Sequence, residues 1–260
     1  QAADIPHIRA LGAVPVLNTP DQVAMWQASG GGRCHVMFDS GINRLGIGPE
    51  QMSQCRLQDI DVDLLLSHLA SADEDSAQNH AQQRLFHEHA AASGAKRLSL
   101  ANSAGIMLGA DYHYDLTRPG LSLYGGIARP EMGAFIKPVA RLSARLLQVR
   151  TQPAGAPIGY NATHICGNDT TVGTISIGYA DGYLRAFSSK GTAHYGSATL
   201  PVLGRVSMDL VTLDIIAAPE LREGDWVDVE YDLPTASALT GLSQYELLTN
   251  LGTRFERIWR

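Results

Sequence analysis

The chain has 260 residues, 45% hydrophobic and 18% charged, with 26 Gly and 12 Pro spread along it, which excludes collagen, coiled coil and wholesale disorder. Lys plus Arg number 20 against 26 Asp plus Glu, a net charge of −6, and no basic cluster follows a phosphate backbone, so nucleic acid is not an expected partner. No apolar run reaches the roughly 18 residues of a membrane helix, and the first residues lack the positive-then-apolar order of a signal peptide, so no membrane partner is expected and the cytoplasm is the expected location.

In chain order, "IPHIRALGAVPVLN" reads as the tail of a helix entering a strand. Short β-branched or apolar runs then alternate with helical patterns up to about residue 125, the signature of βα units and a parallel sheet. Strands are predicted at 13–17, 34–38, 62–67, 97–100 and, briefly, 115–117. Between them, "TPDQVAMWQASG" has Thr19 as N-cap, Pro20 at the first helical position and Gly30 as stop. "GPEQMSQCRLQ" repeats the device at Pro49. "DEDSAQNHAQQRLFHEHAAASG" predicts a long surface helix with acids in its first turn, an apolar stripe through Leu85 and Phe86, and Gly94 as terminator. Cys34, Cys55 and Cys166 are odd in number and lack CxxC spacing, which argues against a disulfide framework and a structural zinc site. They are read as buried thiols, and no metal site is expected.

A polar residue follows each predicted strand: Asp39 with Arg44, His68, Asn102 with Ser103, and Arg118. In a parallel barrel the loops leaving that end of the strands converge on one mouth, where the active site lies. Singly, His68 reads as an ordinary hydrogen-bonded histidine and Arg118 as a loop ion pair; their repetition in successive units carries the functional reading. A closed barrel takes eight strands and only five are found, so about three βα units are expected to be missing from the start, in keeping with Gln1 in place of an initiator Met.

From Lys137-Pro138 onward the pattern changes. "ARLSARLLQVRTQP", "TVGTISIGYADG", "GTAHYGSATLPVLGRVSMDLVTLDI" and "GDWVDVEY" alternate apolar positions between Gly and Pro turns, which predicts a mostly antiparallel β domain. The fold class is therefore α/β: residues 1–134 form a partial (β/α) barrel of the TIM type, and 135–260 a β domain closing on a helix that Ser243 caps.

The segments "DSGINRLG", "SHLASADE", "ANSAG", "RPGLSLYG", "IGYNATH", "IGYADGYLRAFS", "LGRVSMD" and "YELLTNLGTRFER" follow one another from Asp39 to Arg257, and in that order the chain resembles the alanine racemase family. The resemblance implies a pyridoxal phosphate enzyme and a head-to-tail homodimer that interconverts L- and D-alanine, supplying D-alanine for peptidoglycan. It implies cofactor-binding roles for His68 beside the ring, for Asn102, Ser103, Gly120, Leu121 and Tyr245 at the phosphate, and for Arg118 at the pyridine nitrogen. A guanidinium stays protonated, with a pKa above about 12, so it donates a hydrogen bond without passing a proton to the ring. For Asn102 and Ser103 the local reading is helix capping, with a following helix whose amides face the phosphate.

Racemisation requires a base on each face of Cα. The resemblance gives one face to the cofactor lysine and the other to Tyr160, reaching the substrate from the partner subunit's β domain. A free phenol has a pKa of about 10, so a cation must hold the anionic form near neutrality; Arg44 is implied to do this while pairing with the substrate carboxylate. Tyr179, Met208 and Asp209 are implied to line the substrate entrance, Met208 through its backbone. The sequence departs from the family twice. The cofactor lysine lies in a motif like "YKANAYGHG", and neither Lys96, Lys137 nor Lys190 sits in such a context. Many members carry a carbamylated lysine two positions before the Asp of "DxGxxRLG", where this chain has Met37. A broader amino-acid racemase and a non-catalytic cofactor-binding or dimer scaffold stay open as alternatives.

Overall fold

The computed structural model describes residues 1–259. It divides into two compact units, Gln1–Ser122 with Ala128–Phe135, and Leu123–Ile127 with Ile136–Arg260.

The first unit runs α1 (Ile5–Ala10), β1 (Val16–Leu17), α2 (Pro20–Ala28), β2 (Arg33–Met37), α3 (Pro49–Met52), β3 (Asp61–Leu66), α4 (Ala77–Ala90) and β4 (Arg97–Ser99). The strands form one parallel sheet in sequence order. β3 is buried continuously from Val62 to Leu66, as a central parallel strand covered on both faces must be. Past the strands, Phe38 N donates to Leu66 O at 2.8 Å, Ser67 N to Ser99 O at 3.0 Å and Arg118 N to Ala101 O at 2.8 Å. Pairing therefore extends to the carboxyl ends, where the predicted polar residues lie.

Three predicted details change. The strand at 115–117 reduces to a bridge between Asn102 and Arg118, because the amide of Leu98 is taken by the Asp115 side chain at 2.8 Å rather than by a strand carbonyl. α4 begins after Ser76, whose hydroxyl accepts from Gln78 N at 3.2 Å, so Asp73, Glu74 and Asp75 precede the helix instead of filling its first turn. α3 stops after four residues, and Ser53 Oγ then bonds back to Glu50 O at 3.0 Å, a local side-chain competitor to helix propagation. Thr19 caps α2 as predicted, accepting from Gln22 N at 3.2 Å. Cys34 and Cys166 are buried, while Cys55 is only partly so.

The second unit contains β5 (Leu142–Gln152), the hairpin strands β6 (Pro157–Ile158) and β7 (His164–Ile165), β8 (Thr170–Ile175), β9 (Thr192–Tyr195), β10 (Ala198–Pro201), β11 (Val211–Asp214), β12 (Trp226–Val229), α5 (Leu233–Thr240) and α6 (Gln244–Thr249). Six strands make one antiparallel sheet in the order β10-β9-β12-β5-β8-β11. Its two edges meet through a Val202–Leu213 bridge and a 2.8 Å bond from Leu203 N to Thr212 O, which removes the free edges. Alternation fills the interior: Leu142, Ala144 and Leu146 are buried while Ser143, Arg145 and Leu147 face outward. α6 starts on a capping box in which Ser243 and Glu246 bond reciprocally. Among the described residues no helix is long and apolar enough to cross a membrane.

Candidate active site

In the first unit, Arg118 is the convergence point. Its guanidinium donates to Ser99 Oγ, to Ser67 O and, at 3.5 Å, to Leu100 O. Ser99 can accept because its own hydroxyl proton goes to Leu116 O at 2.6 Å. Ser67 directly follows β3 and Ser99 ends the neighbouring β4, so the sheet itself aims the arginine. Burial lowers the Arg118 pKa from its ordinary value, yet a guanidinium starting above about 12 remains charged at neutral pH.

His68 follows Ser67 at the same end. Its pKa is lowered by burial first, then by the Arg118 and Arg44 charges, so at neutral pH the ring is an uncharged imidazole beside two cations. Arg44 is exposed and its loop is fixed by Asp39: Oδ1 accepts from the amides of Gly41, Ile42 and Asn43 at 2.9, 3.0 and 3.1 Å, and Oδ2 accepts from Arg44 N at 3.1 Å. Asn43 takes a φ of 55° to close this turn. The backbone of Arg44 is thus set by a carboxylate two residues beyond Met37, without a charge at Met37 itself.

The helix expected after the "ANSAG" segment is short. It is a four-residue 3-10 turn, Gly105–Leu108. Asn102 Oδ1 accepts from Gly105 N at 2.8 Å, while Ser103 Oγ reaches the "RPGLS" segment and accepts from Gly120 N at 3.0 Å and Ser122 N at 3.2 Å. Asn102, Ser103, Gly120 and Leu121 are thereby brought together with Arg118.

Sequence reasoning missed Gln82 on α4. It is 1% exposed, its Oε1 accepts from Ala70 N at 2.8 Å, and its Nε2 donates to His68 O at 3.0 Å and Ser40 Oγ at 3.4 Å. Ser40 in turn meets Ser67 at 2.7 Å. One buried amide therefore ties the loops bearing Arg44 and His68. The available signal was a glutamine on the helical face that also carries Phe86, four residues on.

In the second unit, Tyr160 lies in the loop of the β6–β7 hairpin and is 62% exposed. Gly159, Asn161 and Ala162 all have positive φ, 71°, 61° and 48°; for Asn and Ala this is a strained conformation of the sort held at functional turns. Ile158 anchors the hairpin against Cys166, Val172 and Leu203. Tyr179 opens a 3-10 turn with Arg185 stacked 5.0 Å over its ring. Met208 and Asp209 are exposed and lie beside it, Tyr179 N donating to Ser207 O and Ala180 N to Met208 O, both at 3.0 Å. Tyr245 is half exposed on α6, and its carbonyl accepts from Thr249 Oγ1 at 2.8 Å.

The first-unit residues fit pyridoxal phosphate by their donor set: Arg118 carries five N–H donors on a fixed fork, enough to serve a ring nitrogen as well as its own acceptors. Lys96 stands at the opposite end of the strands, paired with Asp61 at 2.6 Å.

The family model described as the alanine racemase N-terminal domain matches residues 1–128, and the C-terminal domain model matches 139–259. A catabolic alanine racemase of Agrobacterium fabrum is 39% identical over 95% of this chain and 68% of its own length. An alanine racemase of Jannaschia sp. is 40% identical, over 98% and 74% respectively. The crystal structure of alanine racemase from Bartonella henselae with covalently bound pyridoxal phosphate superimposes with a TM-score of 0.89 at 31% identity, covering 98% of this chain and 75% of that one. With the parallel unit, the antiparallel unit and both family models in agreement, the chain belongs to the alanine racemase family of pyridoxal phosphate-dependent isomerases.

Proposed function

We propose that this protein interconverts L- and D-alanine, acting as a cytoplasmic homodimer that supplies D-alanine for peptidoglycan, with a base on each face of the substrate Cα. The observation that carries the reading is Arg118, held by Ser67, Ser99 and Leu100 beside an uncharged His68. When bound, pyridoxal phosphate supplies the electron-withdrawing ring that makes an amino-acid Cα–H acidic.

The chain's own residues take the following parts, with the lysine base of the other face lying outside the 260 residues. Arg118 donates a hydrogen bond to the ring nitrogen and keeps its proton, which limits electron withdrawal to what proton exchange needs. His68 packs beside the ring as a neutral group and adds no third positive charge. Asn102, Ser103, Gly120 and Leu121 would hold the phosphate. Arg44 pairs with the substrate carboxylate and favours the phenolate of Tyr160 from the partner protomer, which takes or returns a proton at Cα. The strained, exposed loop around Tyr160 supports this role, since a group that works outside its own unit must stand clear of it. Tyr179, Met208 and Asp209 line the entrance.

The test is to titrate the purified natural polypeptide with pyridoxal phosphate and follow optical rotation of L-alanine. The expected result is cofactor uptake and decay of rotation to zero. Cofactor uptake with unchanged rotation of both enantiomers would leave the scaffold reading in its place.

A further inference from the structure

Arg254 belongs to the "LGTRFER" segment and has no part in the roles above. Its Nε donates to Asp181 Oδ1 and its NH1 to Asp209 Oδ1, each at 2.7 Å. The two carboxylates stand on different loops: Asp181 ends the turn that begins at Tyr179, and Asp209 follows Met208. Asp181 is 7% exposed, and its other oxygen accepts from Gly178 N at 2.9 Å. Its carbonyl accepts from Gly252 N, also at 2.9 Å, which returns the chain to Arg254. The loops touch so closely that a Cβ on Gly178 would lie 2.3 Å from Met208 O, and one on Gly182 2.3 Å from Asn250 O. Three segments distant in sequence thus meet at one guanidinium.

We infer that Arg254 is the positioning residue of the substrate entrance, locking the Tyr179 turn and the Met208-Asp209 turn into one rigid rim. This rests on the reading of Tyr179, Met208 and Asp209 as entrance residues. A planar fork fixes its donors in two directions and so holds both carboxylates at set positions, whereas a lysine's ammonium is a compact charge on a flexible stem whose rotatable donors impose no such geometry. Arg254 touches no reacting atom, so its loss acts on binding and access rather than on proton transfer.

The experiment compares Arg254→Lys, Asp209→Asn and Tyr179→Phe with the unaltered holoenzyme. For Arg254→Lys, a KM for alanine raised on the order of tenfold with kcat changed less than about threefold is expected, since uniform binding is lost while the chemistry is retained. Pyridoxal phosphate affinity stays constant, and hydrogen exchange at the amides of Tyr179 and Ala180 accelerates. Asp209→Asn moves KM and exchange the same way by less, and serves if the arginine variant folds poorly. An unchanged KM, or a lower melting temperature with no change in KM or in exchange, overturns the inference. If Tyr179→Phe raises KM and Arg254→Lys does not, the inference alone fails; if neither does, the entrance reading fails with it.

Discussion

The two units build functional geometry by opposite means. The parallel unit positions Arg118, His68 and Arg44 with buried or half-buried polar groups, namely Ser67, Ser99, Gln82 and Asp39, each satisfied by neighbours at strand ends. The antiparallel unit positions Tyr179 and Met208 by backbone contact so close that glycine is required, then pins the contact with an exposed arginine. The difference teaches where each unit is fragile: the first to loss of a hydrogen-bonding group, the second to gain of a methyl.

The sharpest way to break the comparison is Gly178→Ala. A methyl placed 2.3 Å from a backbone carbonyl oxygen cannot be relieved by rotating a side chain, so the cost is about 3 kcal/mol of stability, read from urea unfolding. A loss below about 0.5 kcal/mol, the range of ordinary surface changes, would show that the turns are free to separate. Next comes Gln82→Leu, which keeps the bulk but leaves Ala70 N and His68 O without their partner. Leaving buried groups unsatisfied costs about 2 kcal/mol, and affinity for pyridoxal phosphate falls with it. A variant with native stability and native cofactor affinity would remove Gln82 from the site.

Legibility in the sequence divides along the same line. Arg118, His68 and Ser103 are visible because a polar residue ending an apolar strand is a local signal. Ser67 and Ser99 are not, since serine is common beside strands and only the register of β3 against β4 makes them converge on one guanidinium. The helix expected after Asn102 and Ser103 forms only as the short 3-10 turn Gly105–Leu108, and Ser103 gives its oxygen to Gly120 and Ser122 instead, a contact 17 to 19 residues away that no local pattern encodes. Tyr160 is singled out only by family resemblance; its strained neighbours become visible only in the backbone angles.

The smallest effect concerns pH. His68 has a pKa lowered in the fold by burial, Arg118 and Arg44, so the unfolded chain takes up a proton first as pH falls. Its contribution to stability is complete above the unfolded value of about 6.5 and declines below it, toward the lowered folded value. Relative to His68→Gln, the unaltered protein loses stability more steeply as pH falls below about 6.5; parallel stability curves would contradict the assignment of a neutral His68.

The central claim, a separate base for each face, is tested most directly by Tyr160→Phe in deuterated water. Because the equilibrium between the enantiomers is symmetric, racemisation slows equally in both directions, and the discriminating signal is exchange at Cα. With Tyr160 taken as the base for the face that carries the proton in L-alanine, the account predicts that the variant still exchanges the Cα hydrogen of D-alanine but loses exchange from L-alanine. Retained exchange from both enantiomers, or its loss from D-alanine instead, would contradict it.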